Sequence, residues 1–142
     1  MTDLQALAHA ATETRGAAYV PYTKFDAAAA VRWEAASDED AGPATGIALG
    51  VVVENVSLGL AMCAERSALF SAVAAGGRPT HLALSAPATR DGVTMPCGAC
   101  LQVALELGGP DLVVVSVDPN SDDLHEATVS SLLPEGPYTG PH

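Results

Sequence analysis

The chain has 142 residues, of which 49% are hydrophobic and 16% charged, a composition typical of one globular domain with a core of its own. Its 17 acidic residues outnumber the 6 lysines and arginines, and the net charge of -11 disfavours binding to nucleic acid polymers and to anionic membranes. Because no signal-peptide pattern opens the sequence and no apolar run has membrane-spanning length, we expect a cytoplasmic protein.

The first half of the chain predicts a helix, an ordered loop and two strands, at residues 2–15, 19–25, 26–33 and 46–55. The helix begins with a capping box formed by Thr2 and Gln5. Pro21 excludes helix from the loop. The acidic stretch at 36–46 is predicted to be a surface turn, so the two strands that it joins form a hairpin.

The second half predicts helices and strands in alternation, followed by a short last helix, at residues 63–75, 81–86, 97–107, 112–117 and 129–133. The strand at 112–117 is almost entirely apolar, which is typical of a strand buried on both faces. The order α-β-β-α-β-α-β with a small α/β ending predicts a sheet covered by helices on both sides. We expect a single domain over 1–142, with 134–142 as a tail.

Three cysteines and one glutamate carry the chemistry that the sequence suggests. Cys63, Cys97 and Cys100 are all the cysteines of the chain, and an odd number that includes a Cys-x-x-Cys pattern favours reduced, metal-binding or catalytic thiols. Both cysteine segments open predicted helices, whose N-termini stabilise thiolates. Three protein ligands would leave the fourth tetrahedral position of a zinc ion for water. Glu65 then serves as the proton carrier, and Arg66 as the partner that hydrogen-bonds the sulfurs.

Other interpretations of the thiols stay open at this point. Cys97 and Cys100 could form a redox pair of the thioredoxin kind, and Cys63 could act as a nucleophile activated by a histidine. A structural zinc site would need a fourth ligand, and the chain has four histidines that could supply it: His9, His81, His125 and His142.

Four segments resemble the small, homotetrameric cytidine deaminases: YVPYTKF at 19–25, GVVVENVSLGLAMCAER at 50–66, PCGACLQ at 96–102 and LLP at 132–134. They include the Cys-x-Glu and Pro-Cys-x-x-Cys signature of zinc deaminases. The resemblance implies a three-layer α/β/α sandwich on a five-stranded mixed sheet and one Zn²⁺ per chain. It also implies a homotetramer, or a homodimer, that converts cytidine and deoxycytidine to uridine and deoxyuridine.

The segments that would grip the substrate depart from the family pattern. The resemblance implies substrate contacts from Phe25, Val52, Glu54 and Ala64. Val52 replaces the asparagine of the family's Asn-x-Glu, and on a strand it would face the same way as Glu54. A valine cannot hydrogen-bond a sugar hydroxyl. Three further family residues, a tyrosine, an arginine and a phenylalanine, are replaced by Leu58, Leu101 and Pro137.

These departures suggest that the reaction is preserved and that recognition is altered. The first hypothesis is a deaminase of cytidine-like nucleosides. The second is a deaminase of a modified cytosine nucleoside, because blasticidin S deaminase has the same zinc layout and also lacks that asparagine. The non-enzymatic alternative is a zinc-binding homologue without turnover, although Glu65 would have no chemical purpose there.

Overall fold

Five strands form one mixed sheet in the computed structural model, which describes residues 1–36, 42 and 44–135. In chain order the strands are β1 Ala28–Ala35, β2 Ala44–Val51, β3 Arg78–Ser85, β4 Val113–Val117 and β5 Leu124–Thr128. Their order across the sheet is β2-β1-β3-β4-β5. Only β3 and β4 pair in parallel, and the other three pairs are antiparallel.

Four helices pack on this sheet, and they are α1 Asp3–Thr14, α2 Ala64–Ala74, α3 Gly98–Gly108 and α4 Val129–Leu132. The capping box predicted for the first helix is confirmed. The Gln5 backbone amide donates to Thr2 Oγ1 at 3.1 Å, and the Thr2 amide donates to Gln5 Oε1 at 2.8 Å. These bonds satisfy two N–H groups that the start of a helix would leave unpaired.

The helices lie on both faces of the sheet, because successive residues of a strand point to opposite sides. On one face, Ala30 of β1 packs with Leu7 and Ala11 of α1. On the other face, Ala29 and Val31 belong to the larger core cluster under α2 and α3. The predicted three-layer α/β/α sandwich is therefore confirmed. None of the described helices combines the length and the apolar character that crossing a bilayer requires.

The boundaries of several elements differ from the prediction. The strand predicted at 46–55 ends at Val51, so Val52, Val53 and Glu54 lie beyond β2 and are held by an isolated bridge at Val53. The strand β5 was not predicted from the residue pattern, because its first three residues are exposed at the edge of the sheet and carry no apolar run. The predicted turn at 36–46 lies largely outside the described residues, and so does most of the predicted tail at 134–142.

The direction of the strands determines where the two cysteine segments meet. Both β2 and β3 run antiparallel to β1, so β2 and β3 point the same way. Along the chain, β2 is followed by α2, and β3 is followed by α3. Two helices that follow strands of the same direction begin at the same edge of the sheet. The N-termini of α2 and α3 therefore lie side by side.

A close approach between β2 and α2 supports this arrangement and is testable. A methyl group at Gly50 would come closer than 3.0 Å to the backbone of Ala64 and Ala68. We therefore predict that Gly50→Ala lowers the free energy of unfolding by about 1–3 kcal/mol, measured by urea denaturation. The matched control is Gly59→Ala, because nothing lies within 4 Å of the methyl group that it would add. Equal urea midpoints for the two variants would contradict the prediction.

Candidate active site

Three thiols meet where α2 and α3 begin. The sulfur atoms of Cys63, Cys97 and Cys100 all lie within 4.8 Å of one another, and the Sγ atoms of Cys97 and Cys100 are 3.4 Å apart. Cys63 and Cys97 are the N-cap residues of α2 and α3, each with extended backbone, whereas Cys100 lies within the first turn of α3. The two sequence segments that hold all the cysteines thus converge on one point.

The donor set fits a zinc ion. Zinc bonds to thiolate sulfur at about 2.3 Å, so three sulfurs this close together can reach one ion. The helix N-termini favour the negative charge that three thiolates carry. Cys100 is buried and Cys97 is exposed, so the group lies at the surface of the core and can be reached from solvent. Cys63, Cys97 and Cys100 are therefore the residues of this chain that could hold a metal.

The described part of the chain adds no histidine or carboxylate to this group of three thiols. His81 Nδ1 lies 2.8 Å from Thr80 Oγ1, and His9 Nε2 lies 3.1 Å from Glu13 on the surface of α1. His142 lies outside the described residues. Three ligands without a fourth favour an open metal site, which is the arrangement of catalytic zinc.

Arg66 pairs with the sulfurs from the first turn of α2. Its Nη2 atom donates to Cys63 Sγ at 3.4 Å. Without a metal, hydrogen bonds from the Cys100 thiol and then from Arg66 lower the pKa of Cys63 from 9.0 to about 5. The hydrogen bond to Cys63 also raises the pKa of the Arg66 guanidinium. The same hydrogen bond between the thiols raises the pKa of Cys100, so the proton of the pair stays on the buried sulfur.

Glu65 lies next to these residues, and its pKa is raised whereas that of Cys63 is lowered. Only 5% of the residue is exposed, in the first turn of α2. Burial raises the pKa of the Glu65 carboxyl, and the charge of Cys63 adds to this effect, while hydrogen bonds from its own amide and from Cys100 oppose it. A carboxyl group whose pKa is raised, in hydrogen-bond contact with the Cys100 thiol, is suited to accepting and returning a proton.

A cavity of about 330 Å³ opens beside Cys63. It is mostly apolar, and its walls come from the 23–25 loop, from the segment after β2 and from the residues before α2: Thr23, Phe25, Val52, Val53, Glu54, Ala61, Met62 and Cys63. A larger cleft of about 440 Å³ lies elsewhere, beside Asp3, Arg32 and Ile47, and has no cysteine in its wall. The cavity beside Cys63 is therefore the one that places a ligand next to the thiols.

The structure brings Val52 and Glu54 to this cavity, but not as a continuous strand. Val52 packs partly against the core cluster. The Glu54 carboxylate instead accepts hydrogen bonds from the 22–23 backbone amides and from the Thr23 hydroxyl. The strand that was expected to carry both residues ends earlier, at Val51. Both nevertheless contribute to the cavity wall.

The remaining predicted residues occupy different environments. Phe25 lines the cavity and is 37% exposed. Ala64, the first residue of α2, is fully buried in the core cluster and is not among the residues that line the cavity. Leu58 is 85% exposed, whereas Leu101 is buried in the core of its own chain. Pro137 lies outside the described residues.

Sequence reasoning did not single out Thr23 or Met62, which also line the cavity. Met62 immediately precedes Cys63, and its backbone pairs with Val53. The only signal for Thr23 was its place in the loop two residues before Phe25, and a hydroxyl in a loop has many ordinary uses.

Comparisons with known proteins agree with this site. A curated cytidine deaminase of Halalkalibacterium halodurans is 39% identical over 137 residues, which cover 96% of this chain and 95% of that protein. A cytidine deaminase of Sporosarcina psychrophila is 36% identical and covers 93% of this chain and 89% of its own length. No protein-family model matches the chain.

Solved structures give the same result. The cytidine deaminase from Burkholderia pseudomallei superposes with a TM-score of 0.75 at 39% identity, over 96% of this chain and 99% of that one. The enzyme from Mycobacterium tuberculosis superposes with a TM-score of 0.68 at 34% identity, over 96% and 98% of the two chains.

The chain is a three-layer α/β/α sandwich that carries three thiols and a buried carboxyl group at two helix N-termini. Together with the relatives, this fold and this site define a hydrolase that acts on the amino group of a cyclic amidine. The identity of 39% over 96% of its length shows that the chain belongs to the cytidine deaminase family.

The hydrogen bonds around Cys63 generate a prediction for the metal-free protein. Its thiolate, followed by ultraviolet absorbance, should protonate near pH 5, and Arg66→Gln should move this titration to higher pH because it removes a donor and a positive charge. Since the pKa in the folded state lies below 9.0, the stability that Cys63 contributes is present above pH 9 and is lost as the pH falls through about 5.

The control for this titration is Arg90→Gln, which changes an arginine whose side chain is 94% exposed and lies 3.9 Å from its neighbour Asp91. Identical thiolate titrations in the wild type and in Arg66→Gln would contradict the assignment of Arg66 as a partner of the sulfurs.

Proposed function

We propose that this protein is a zinc-dependent deaminase that hydrolyses cytidine, deoxycytidine or a closely related aminopyrimidine nucleoside to the uridine-type product and ammonia. In this proposal Cys63, Cys97 and Cys100 hold one zinc ion per chain. The observation that carries the proposal is the meeting of three thiols with one buried carboxyl group beside a cavity.

The chain's own residues have distinct roles in this reaction. When bound, zinc supplies the Lewis-acid activation of water on which hydrolytic deamination depends. Glu65 takes up the first proton that water loses and delivers it to the ring nitrogen. It then takes up a second proton, from the hydroxyl group that has been added to the ring carbon, and delivers it to the amine, which departs as ammonia. The buried position of Glu65 supports this role, because its raised pKa makes the protonated form accessible. Arg66 withdraws negative charge from the sulfurs through its hydrogen bond to Cys63.

The cavity beside Cys63 receives the nucleoside in this proposal. Phe25 and Val52 give an apolar wall that suits a pyrimidine ring, and Glu54 gives an acceptor that suits a hydroxyl group of the sugar. Ala64 would act through its backbone, since its side chain is buried in the core. The described residues of the wall include one acidic residue and no basic residue, so the wall suits a neutral ligand better than a phosphorylated one.

We further propose that residues 1–142 form one domain, which assembles as a homotetramer or a homodimer. The support is a group of exposed aliphatic side chains just before the Cys63 helix: Val56, Leu58 and Leu60. Neighbouring apolar residues that are this exposed are typical of contact surfaces.

The first test of the proposed function is a deamination screen on the zinc-loaded protein with cytidine, deoxycytidine, cytosine and modified cytosine nucleosides. Glu65→Gln should lower kcat by about 10²- to 10⁴-fold, because the proton carrier is lost, while zinc content stays unchanged. The control is Glu106→Gln, an exposed glutamate on α3. Zinc binding without ammonia release from any of these compounds would show a non-catalytic homologue instead.

A second prediction concerns Val52, whose apolar side chain forms part of the cavity wall. Val52→Asn adds an amide that can hydrogen-bond a sugar hydroxyl, and we expect it to raise kcat/KM for cytidine by about tenfold, measured in the same assay. Val73→Asn is the control, since it places the same amide at an exposed position of α2 that is not among the residues lining the cavity. Val52→Asn could instead leave cytidine turnover unchanged or lower it, while the wild type prefers a modified nucleoside. That result would favour a deaminase of a modified cytosine nucleoside.

A further inference from the structure

The loop at 20–25 is held in an unusual backbone conformation beside the cavity. Lys24 has a φ of 63°, in the left-handed region that residues other than glycine rarely adopt. The Lys24 amide donates to the carbonyl of Val20 at 3.1 Å, which closes the turn. A non-glycine residue stays in this region only where its surroundings enforce it, and such residues are frequent at ligand clamps.

Glu54 is the group that holds this loop from outside. Its Oε1 atom accepts from the Tyr22 amide at 3.0 Å and from the Thr23 amide at 3.3 Å, while its Oε2 atom accepts from Thr23 Oγ1 at 2.6 Å. The hydrogen bond from the Thr23 hydroxyl is the largest of the effects that lower the pKa of Glu54. The carboxylate is therefore fixed as an anion by the loop.

The Thr23 hydroxyl makes a second bond. Its oxygen accepts from the Phe25 amide at 3.1 Å, so one hydroxyl connects Glu54 with Phe25. A hydroxyl has one hydrogen to donate and lone pairs with which to accept, and both functions are used here. Backbone hydrogen bonds also join the segment that holds Thr23 to the segment that holds Glu54. The Tyr19 amide donates to the Val52 carbonyl, and the Glu54 amide donates to the Tyr19 carbonyl.

The number of hydrogen-bond acceptor sites on the Glu54 carboxylate limits how a ligand can bind to it. An ionised carboxylate has about four lone-pair sites, and the two amides and the hydroxyl occupy three of them. Among the described residues, these three donors leave about one acceptor site for a ligand, and they determine its direction. A ligand hydroxyl that donates one hydrogen bond matches this remaining site.

We propose that Thr23 is a positioning residue for substrate binding, because its hydroxyl fixes the Glu54 carboxylate relative to Phe25 and thereby leaves one oriented acceptor for a hydroxyl group of the substrate. This inference rests on the proposed function for the nature of the ligand, a nucleoside. It goes beyond that proposal in assigning the orientation of the acceptor to Thr23, whose hydroxyl acts on the substrate site through Glu54 and Phe25.

The test compares Thr23→Val, which keeps the shape and removes the hydroxyl, with Thr23→Ser, which keeps the hydroxyl. In the zinc-loaded protein, Thr23→Val should raise the KM for cytidine by about tenfold and change kcat little, because an oriented acceptor is lost and the reacting groups are untouched. Thr23→Ser should restore a KM near that of the wild type. Thr45→Val is the matched control, since Thr45 is exposed on β2, beside Asp3 and Arg32.

A double-mutant cycle with Glu54→Gln separates positioning from a general structural effect. If Thr23 acts through Glu54, Thr23→Val should have much less effect on KM in the Glu54→Gln background than in the wild type. Additive effects of the two substitutions, a wild-type KM for Thr23→Val, or a loss of kcat and zinc content at constant KM would each overturn the proposal.

Hydrogen exchange gives a readout that does not depend on catalysis. In Thr23→Val, the amides of Tyr22, Thr23 and Phe25 should exchange at least about tenfold faster than in the wild type, because their acceptors are lost or released, while amides of α2 keep their protection. Unchanged exchange at all three amides would overturn the proposal. If the wild type deaminates no nucleoside, the proposed function is wrong, and this exchange measurement still decides whether Thr23 fixes Glu54.

Discussion

The site depends on the common direction of β2 and β3, both of which run antiparallel to β1. This direction brings the first residues of two helices to one edge of the sheet, where the thiol of Cys63 meets those of Cys97 and Cys100. Each sulfur then lies at a helix N-terminus, where unpaired amides favour negative charge. Gly50 allows the backbone of β2 to approach that of α2 more closely than a side chain would permit. The group of three thiols is thus a product of sheet topology.

Neighbouring residues of this site have opposite affinities for protons. Hydrogen bonds from Cys100 and Arg66 lower the pKa of Cys63, and burial raises the pKa of Glu65 two residues further on. One turn of α2 therefore presents a thiolate, which suits a metal ligand, and a carboxyl group that readily holds a proton. Hydrolysis at an amino-substituted carbon needs both functions within reach of one substrate. Two neighbouring groups whose pKa values are shifted in opposite directions are typical of acid-base catalysts.

Much of the fold and of the group of three thiols could be predicted from the sequence, because both depend on local signals. The capping box of Thr2 and Gln5 and the spacing of the cysteines have a physical meaning that does not require tertiary information. The family resemblance implies five strands, but the residue pattern does not locate the fifth, since an exposed edge strand carries no apolar pattern. The end of β2 at Val51 could not be predicted either, because the apolar residues continue to Val53. Beyond Val51 the chain leaves the sheet, and Val53 pairs with Tyr19 and Met62. Such long-range pairing has no signature in a single segment.

The two halves of the site are attached to the molecule in different ways. Cys100 and Glu65 are carried by helices embedded in the core, so their geometry is tied to the stability of the whole domain. Glu54 and Phe25 belong to irregular segments outside the sheet, joined to each other through one threonine. Under the proposed function, substitutions in these segments would change which molecule binds while the hydrolytic residues stay intact. The same separation makes residues 22–25 a compact target for laboratory evolution toward new aminopyrimidines.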